Sequence, residues 1–118
     1  MSQLAIDVLD RTIELLEQGW CQHAGARDAD GNRTDVDAAN AHQWCLMGAL
    51  SRALIEEGRT QPHNRLGTGS VEVEIREAAC EVRPWSVDRQ PPEWNNAPER
   101  TQATVVAMAK AWRRRLTP

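Results

Sequence analysis

The chain has 118 residues, about one domain's worth, and its 14 Lys and Arg against 17 Asp and Glu leave a net charge of −3. That balance argues against a broad nucleic-acid interface, which needs a basic footprint, and no apolar run approaches the ~20 residues that span a bilayer. Apolar residues make up 41% of the chain and include five Trp but no Phe or Tyr, so one core of aliphatics, Ala and Trp is expected, with no metal or disulfide needed to fold it.

Met1-Ser2-Gln3-Leu4 lacks the basic and apolar regions of a signal peptide, which predicts a cytoplasmic chain. The three cysteines, an odd number, then read as reduced thiols. The first helix is predicted from about Ser2 to Gln18, with Leu4, Val8, Leu9, Ile13 and Leu16 on one face and Gly19 as its stop. A polar loop, Cys21 to Thr34, follows. The second helix is predicted from about Asp37 to Glu57, closed by Gly58. It is apolar around most of its circumference, and Ala38, Ala41, Cys45, Gly48 and Ala49 form a stripe of small residues. Such a helix belongs at the centre, with Gly48 at a close helix crossing.

In the third segment Val71, Val73 and Ile75 alternate as in a strand, but Val71, Ile75, Ala78, Ala79 and Val82 fit a longer helical face, with Ser70 as its N-cap. A second long loop, Pro84 to Pro98, holds four of the six prolines and two Trp. The last helix is predicted from about Gln102 to Leu116, capped by Thr101, with Val105, Met108, Ala109, Trp112 and Leu116 facing inward. The expected fold is a single all-α domain over residues 1–118, a compact four-helix bundle with two long loops.

Several constellations carry residue types suited to chemistry, but each is weak in its details. Asp28-Ala29-Asp30-Gly31-Asn32 resembles a calcium loop, but neither register supplies the required oxygens: with Gly31 at the sixth position Ala26 stands first, and with Asp28 first Arg33 replaces the glycine. An Asp-Gly turn explains it better. Cys21, His23, His42 and Cys45 offer four zinc ligands, yet the Cys21-x-His23 spacing is tight and Cys45 suits a small buried position. Cys45, His63 and Asn95 follow the chain order of a papain-type protease. A nucleophilic thiol wants a helix N-terminus or a neighbouring imidazolium, whereas Cys45 is expected about two turns inside an apolar helix and hence inert. Thr68-Gly69-Ser70 could bind an anion at a helix start or serve as an ordinary cap. Arg113-Arg114-Arg115 suits the C-terminal dipole of the last helix better than a phosphate-binding tail.

Trp44-Cys45-Leu46-Met47-Gly48-Ala49-Leu50 resembles the hallmark of an uncharacterised protein family of actinobacteria and their phages. Gly19-Trp20-Cys21-Gln22 and Ala26-Arg27-Asp28-Ala29-Asp30-Gly31 resemble that family's preceding stretch. Trp94-Asn95-Asn96 and Arg100-Thr101, followed by Val105, take the place of its Trp-Asn-Asp segment, Arg-Thr and closing helix. Asn96 stands where the family has Asp, and Thr104 where an acidic residue often lies. The resemblance implies no activity. Trp20, Trp44, Cys45, Gly48, Ala49, Leu50, Trp94, Asn95 and Thr101 are the residue types of a packing motif.

Two classes of function follow. One is a non-enzymatic interaction or accessory protein with an unknown protein partner, no cofactor, no metal and an open oligomeric state. The other is a small cysteine- or metal-dependent enzyme using Cys45. In the first, Trp85 lies outside the motif between Pro84 and Ser86 and is the candidate partner anchor, while Trp94 is expected to pack on the core.

Overall fold

A computed structural model describes residues 3–57, 70–81 and 91–116. In chain order these form α1 (Gln3–Gln18), β1 (Ala26–Arg27), β2 (Arg33–Thr34), β3 (Gln43–Trp44), α2 (Leu46–Glu56), α3 (Ser70–Glu81), α4 (Pro91–Asn96) and α5 (Gln102–Leu116). The expected all-α four-helix bundle is therefore wrong: the fold is mixed α/β, with five helices among the described residues and a small antiparallel sheet ordered β2-β1-β3. Ala26 pairs with both Thr34 and Trp44, and Arg27 with Arg33 and Gln43.

The helices read from periodicity at the two ends of the chain are present. α1 buries Ala5, Val8, Leu9, Ile13, Leu15 and Leu16 along one face. Thr12 shares that face, and its hydroxyl donates to the Val8 carbonyl at 2.8 Å, so no polar atom is stranded there. α5 turns Val105, Val106, Ala109, Trp112 and Leu116 inward. Thr101 caps it: its hydroxyl accepts from the Thr104 N–H at 3.2 Å and its carbonyl from the Val105 N–H at 3.1 Å. The third segment is helical as its longer pattern predicts, with Ile75, Ala78 and Ala79 buried.

Two features depart from the expected centre. α1, not α2, is the hub: it packs against α2, α3, α5 and β3. α2 also begins at Leu46, well after Asp37. Residues 35–41 make turns instead, with the Ala38 N–H donating to Asp35 and the Ala41 N–H to Ala38, each at 3.1 Å. Asp and Asn at positions 35, 37 and 40 favour such turns over helix interior. Gln43 and Trp44 then pair with β1. Trp44 is 2% exposed, its indole N–H donates to the Val36 carbonyl at 3.1 Å, and the Arg52 guanidinium lies over its ring.

The two expected loops are only partly loops. The first contains a hairpin. Asp28 organises its tip, its carboxylate accepting from the Asp30 and Asn32 N–H groups at 3.0 and 2.9 Å, with Gly31 at φ 86. This is the Asp-Gly turn, and its carboxylate is engaged by backbone rather than aimed at an ion. The second contains α4, opened by Pro91, a residue favoured at a helix start. Trp94 on α4 is 2% exposed within the core, and Arg100 stacks on its ring while donating to its carbonyl at 2.8 Å. Trp94→Ala should therefore cost about 3–5 kcal/mol, the range for a fully buried Trp. Urea unfolding with a midpoint equal to wild type would contradict this. Trp85, His63, Gly58, Thr68 and Gly69 lie outside the described residues.

Candidate functional site

The candidate site is assembled where the chain enters α2. Cys45 has an extended backbone, φ −78 and ψ 174, and stands as the N-cap of α2, with its sulfur accepting from the Gly48 N–H at 3.2 Å. The expectation of a thiol two turns inside a helix is thus corrected: the apolar run Trp44-Cys45-Leu46 crosses from strand to cap to helix. Gly48 is corrected as well. It faces no helix but the backbone of Gly25, where a Cβ would lie 2.0 Å from the carbonyl oxygen. That same oxygen accepts from the Cys45 N–H at 3.1 Å.

Asn95, at the end of α4, is the hydrogen-bond centre of this junction and only 1% exposed. Its Oδ1 accepts from the Trp20 indole N–H at 2.8 Å and from the Leu46 N–H at 3.0 Å. Its Nδ2 donates to the Cys21 carbonyl at 3.1 Å and to Asn96 Oδ1 at 3.2 Å. The amide is thereby fully used. Gln22 adds a clamp, donating to the Asn95 and Ala97 carbonyls at 3.0 and 2.9 Å. Trp20, Trp44, Cys45, Gly48, Trp94 and Asn95 thus converge in space, while Ala49 and Leu50 are buried further along α2 and Thr101 caps α5.

Against this junction lies a half-open cavity of about 260 Å³, bounded by His23, Ala24, Gly25, Arg33, Cys45, Met47, Asn95 and Asn96. His23 has φ 65, a left-handed conformation that costs a non-glycine residue energy. Its N–H is held by Asn96 Oδ1 at 2.7 Å. Four acceptors around the cavity are spent inside the protein: both Asn side-chain oxygens, the Gly25 carbonyl, and the Ala24 carbonyl, which receives the Cys21 thiol at 3.6 Å. The donors are not. The Arg33 guanidinium, the Asn96 amide N–H₂ and the His23 ring make no hydrogen bond or ion pair among the described residues. Arg33 and His23 are exposed at the mouth, and the cavity carries the positive charge of Arg33.

A model of DUF6197, a family of unknown function, matches residues 1–115. The chain belongs to that family. No curated protein and no solved structure matches it. In this DUF6197 chain the four zinc-ligand candidates do not form one set. Cys21 and Cys45 are neighbours and His23 borders the same cavity as Cys45, but His42 is exposed and does not line it. Among the described residues no group of three or more His, Cys, Asp or Glu side chains converges as for a metal ion. Burial pushes the Cys45 thiol up from its ordinary range, against the pull of the Gly48 and Met47 N–H groups, and no hydrogen bond joins it to His23. Of the protease-like order, Asn95 is engaged elsewhere and His63 lies outside the described residues. Arg113 pairs with Asp10 of α1, and the following arginines sit in the last turn of α5. Among the described residues no helix is long and apolar enough to cross a membrane.

Sequence reasoning missed Arg33 and Asn96 as site residues. Arg33 carries no local signal, because the hairpin that brings it to the cavity has strands of two residues each. Asn96 was visible only as a departure from the resembled pattern, and an amide there supplies an N–H₂ donor that a carboxylate would lack.

Proposed function

We propose that this protein acts by binding rather than by catalysis, as a small cytoplasmic accessory protein of the kind carried by actinobacteria and their phages. Its recognition site is the cavity beside Cys45, and the group recognised is a carboxylate. The observation that carries this reading is the set of unengaged side-chain groups, Arg33, Asn96 N–H₂ and His23, around a cavity where the Asn95 and Asn96 side-chain oxygens and the Ala24 and Gly25 carbonyls are already occupied. A ligand that supplies acceptors and negative charge completes that set, and a guanidinium–carboxylate contact is among the strongest polar pairs available. A thiol that caps a helix with its sulfur, and whose burial raises its pKa, is too slow a nucleophile for turnover, which supports binding over catalysis.

The test is a titration of isotopically labelled protein with succinate and, separately, with a blocked hexaglutamate peptide, following the amide signals of Ala24, Arg33, Met47 and Asn96. Saturable shifts confined to these amides are expected. Arg33→Ala should weaken binding about tenfold, the loss of one charge-assisted hydrogen bond. The tighter of the two probes tells a small metabolite from an acidic protein segment. Equal shifts with uncharged succinamide would refute carboxylate recognition.

A further inference from the structure

Residues 19–21 and 44–45 run side by side. The Trp44 N–H donates to the Gly19 carbonyl at 3.0 Å and the Cys21 N–H to the Trp44 carbonyl at 3.1 Å, closing a parallel bridge between Trp20 and Trp44. Cys21 and Cys45 are the next residues in that register, one on each chain. Hydrogen-bonded neighbouring chains lie about 4.8 Å apart. A disulfide spans Cα separations of about 4.4–6.8 Å, so this spacing suits one. Residues in equal register on a parallel pair also project to the same face. Both are free thiols in this structure, and Cys45 borders the cavity while Cys21 is 7% exposed.

We infer that Cys21 and Cys45 are a disulfide-forming pair, with Cys45 the entry thiol and Cys21 the resolving one. The dithiol is the state of a reducing compartment. The oxidant is a low-molecular-weight disulfide small enough for the cavity mouth to admit one of its sulfurs. Cys45 loses its proton to solvent and its sulfur attacks one sulfur of that molecule. The small disulfide's S–S bond breaks, one thiolate leaves and takes up a proton, and Cys45 carries a mixed disulfide. Cys21 then loses its proton and attacks the Cys45 sulfur, expelling the second small thiol. Two protein thiols are oxidised and one small disulfide is reduced to two thiols, with no other reactant.

The surroundings set the pace and the permanence of this exchange. Burial pushes the Cys21 thiol up to about 11, and the nearby Cys45 adds to the shift. Few thiolates exist at neutral pH, so the bond closes slowly and faster as pH rises. The same property makes the closed bond hard to reduce, because the released thiols gain nothing by ionising. The resulting ring encloses residues 22–44, which include β1, β2 and Gln43 and Trp44 of β3.

The experiment treats the reduced full-length protein with oxidised glutathione at several pH values, quenches in acid, alkylates under denaturing conditions and maps peptides by mass. The expected product has lost two hydrogens, links the Cys21 and Cys45 peptides, and leaves Cys80 alkylated. Its unfolding temperature should rise by about 10 °C, as for a loop of this length. The Cys80→Ser variant should give the same link. Alkylation of all three cysteines, a bond to Cys80, or a lasting glutathione adduct on Cys45 with Cys21 still alkylated would each overturn the pairing.

Discussion

Asn95→Ala should lower stability by about 4 kcal/mol, as much as truncating the buried Trp94 beside it. Four hydrogen bonds end on this one side chain, and three of its partners, the Trp20 indole N–H, the Cys21 carbonyl and the Leu46 N–H, lie on two segments far from it in the chain. Truncation leaves these partners unanswered in a site that is 1% exposed. A stranded buried donor or acceptor costs about 1–3 kcal/mol, and a small cavity adds to it. Asn95→Asp separates the two halves of the effect. It keeps an acceptor for Trp20 and Leu46, loses the donor to Cys21 and Asn96, and buries a charge. It too should destabilise, and more at neutral pH than in mild acid, where a protonated Asp regains a donor. Equilibrium urea unfolding at both pH values measures this. An Asn95→Ala midpoint within experimental error of wild type would show that the network does not hold the junction together.

Gly48→Ala is the second. By helix propensity alone, alanine inside α2 should stabilise by about 1 kcal/mol. The geometry reverses the sign. The added methyl would sit 2.0 Å from the Gly25 carbonyl oxygen and 2.8 Å from its carbon, and both belong to backbone. Gly25 cannot retreat without lengthening its bond from the Cys45 N–H. A net loss of about 3 kcal/mol is expected, with the unfolding temperature falling by roughly 10 °C. A more stable variant would mean that the loop yields and that the close approach is incidental.

These two sites show where the sequence was readable and where it was not. α1 and α5 were legible because their apolar residues recur at helical spacing over four turns, and Thr101 is a recognised capping type. The start of α2 was not, because Ala41, Trp44, Cys45 and Leu46 are apolar in either conformation. What decides between strand and helix is pairing with Ala26, Gly19 and Gly25, and none of these is near in sequence. Cys45 is also an unusual capping residue, so no local mark announces it. The hairpin turn around Asp28 was legible as a turn, but strands of two residues leave no alternation to read. For the site, the convergence of Trp20, Cys45, Gly48 and Asn95 lay hidden behind their spacing along the chain. Their residue types suggested packing, and the hydrogen-bond roles of Asn95 and Asn96 emerged only when the partners were placed.

The clasp made by Asn95 also bears on how the chain matures during synthesis. The Trp20 indole, the Cys21 carbonyl and the Leu46 N–H are all made well before the residue that satisfies them. At about 5–20 residues per second, the ribosome takes several seconds to travel from Leu46 to Asn95. Through that interval α1, the hairpin and α2 can collapse on one another, but their shared polar seam faces water. Until α4 is made, the Trp20 indole, the Cys21 carbonyl and the Leu46 N–H have no Asn95 to answer them and must be met by water.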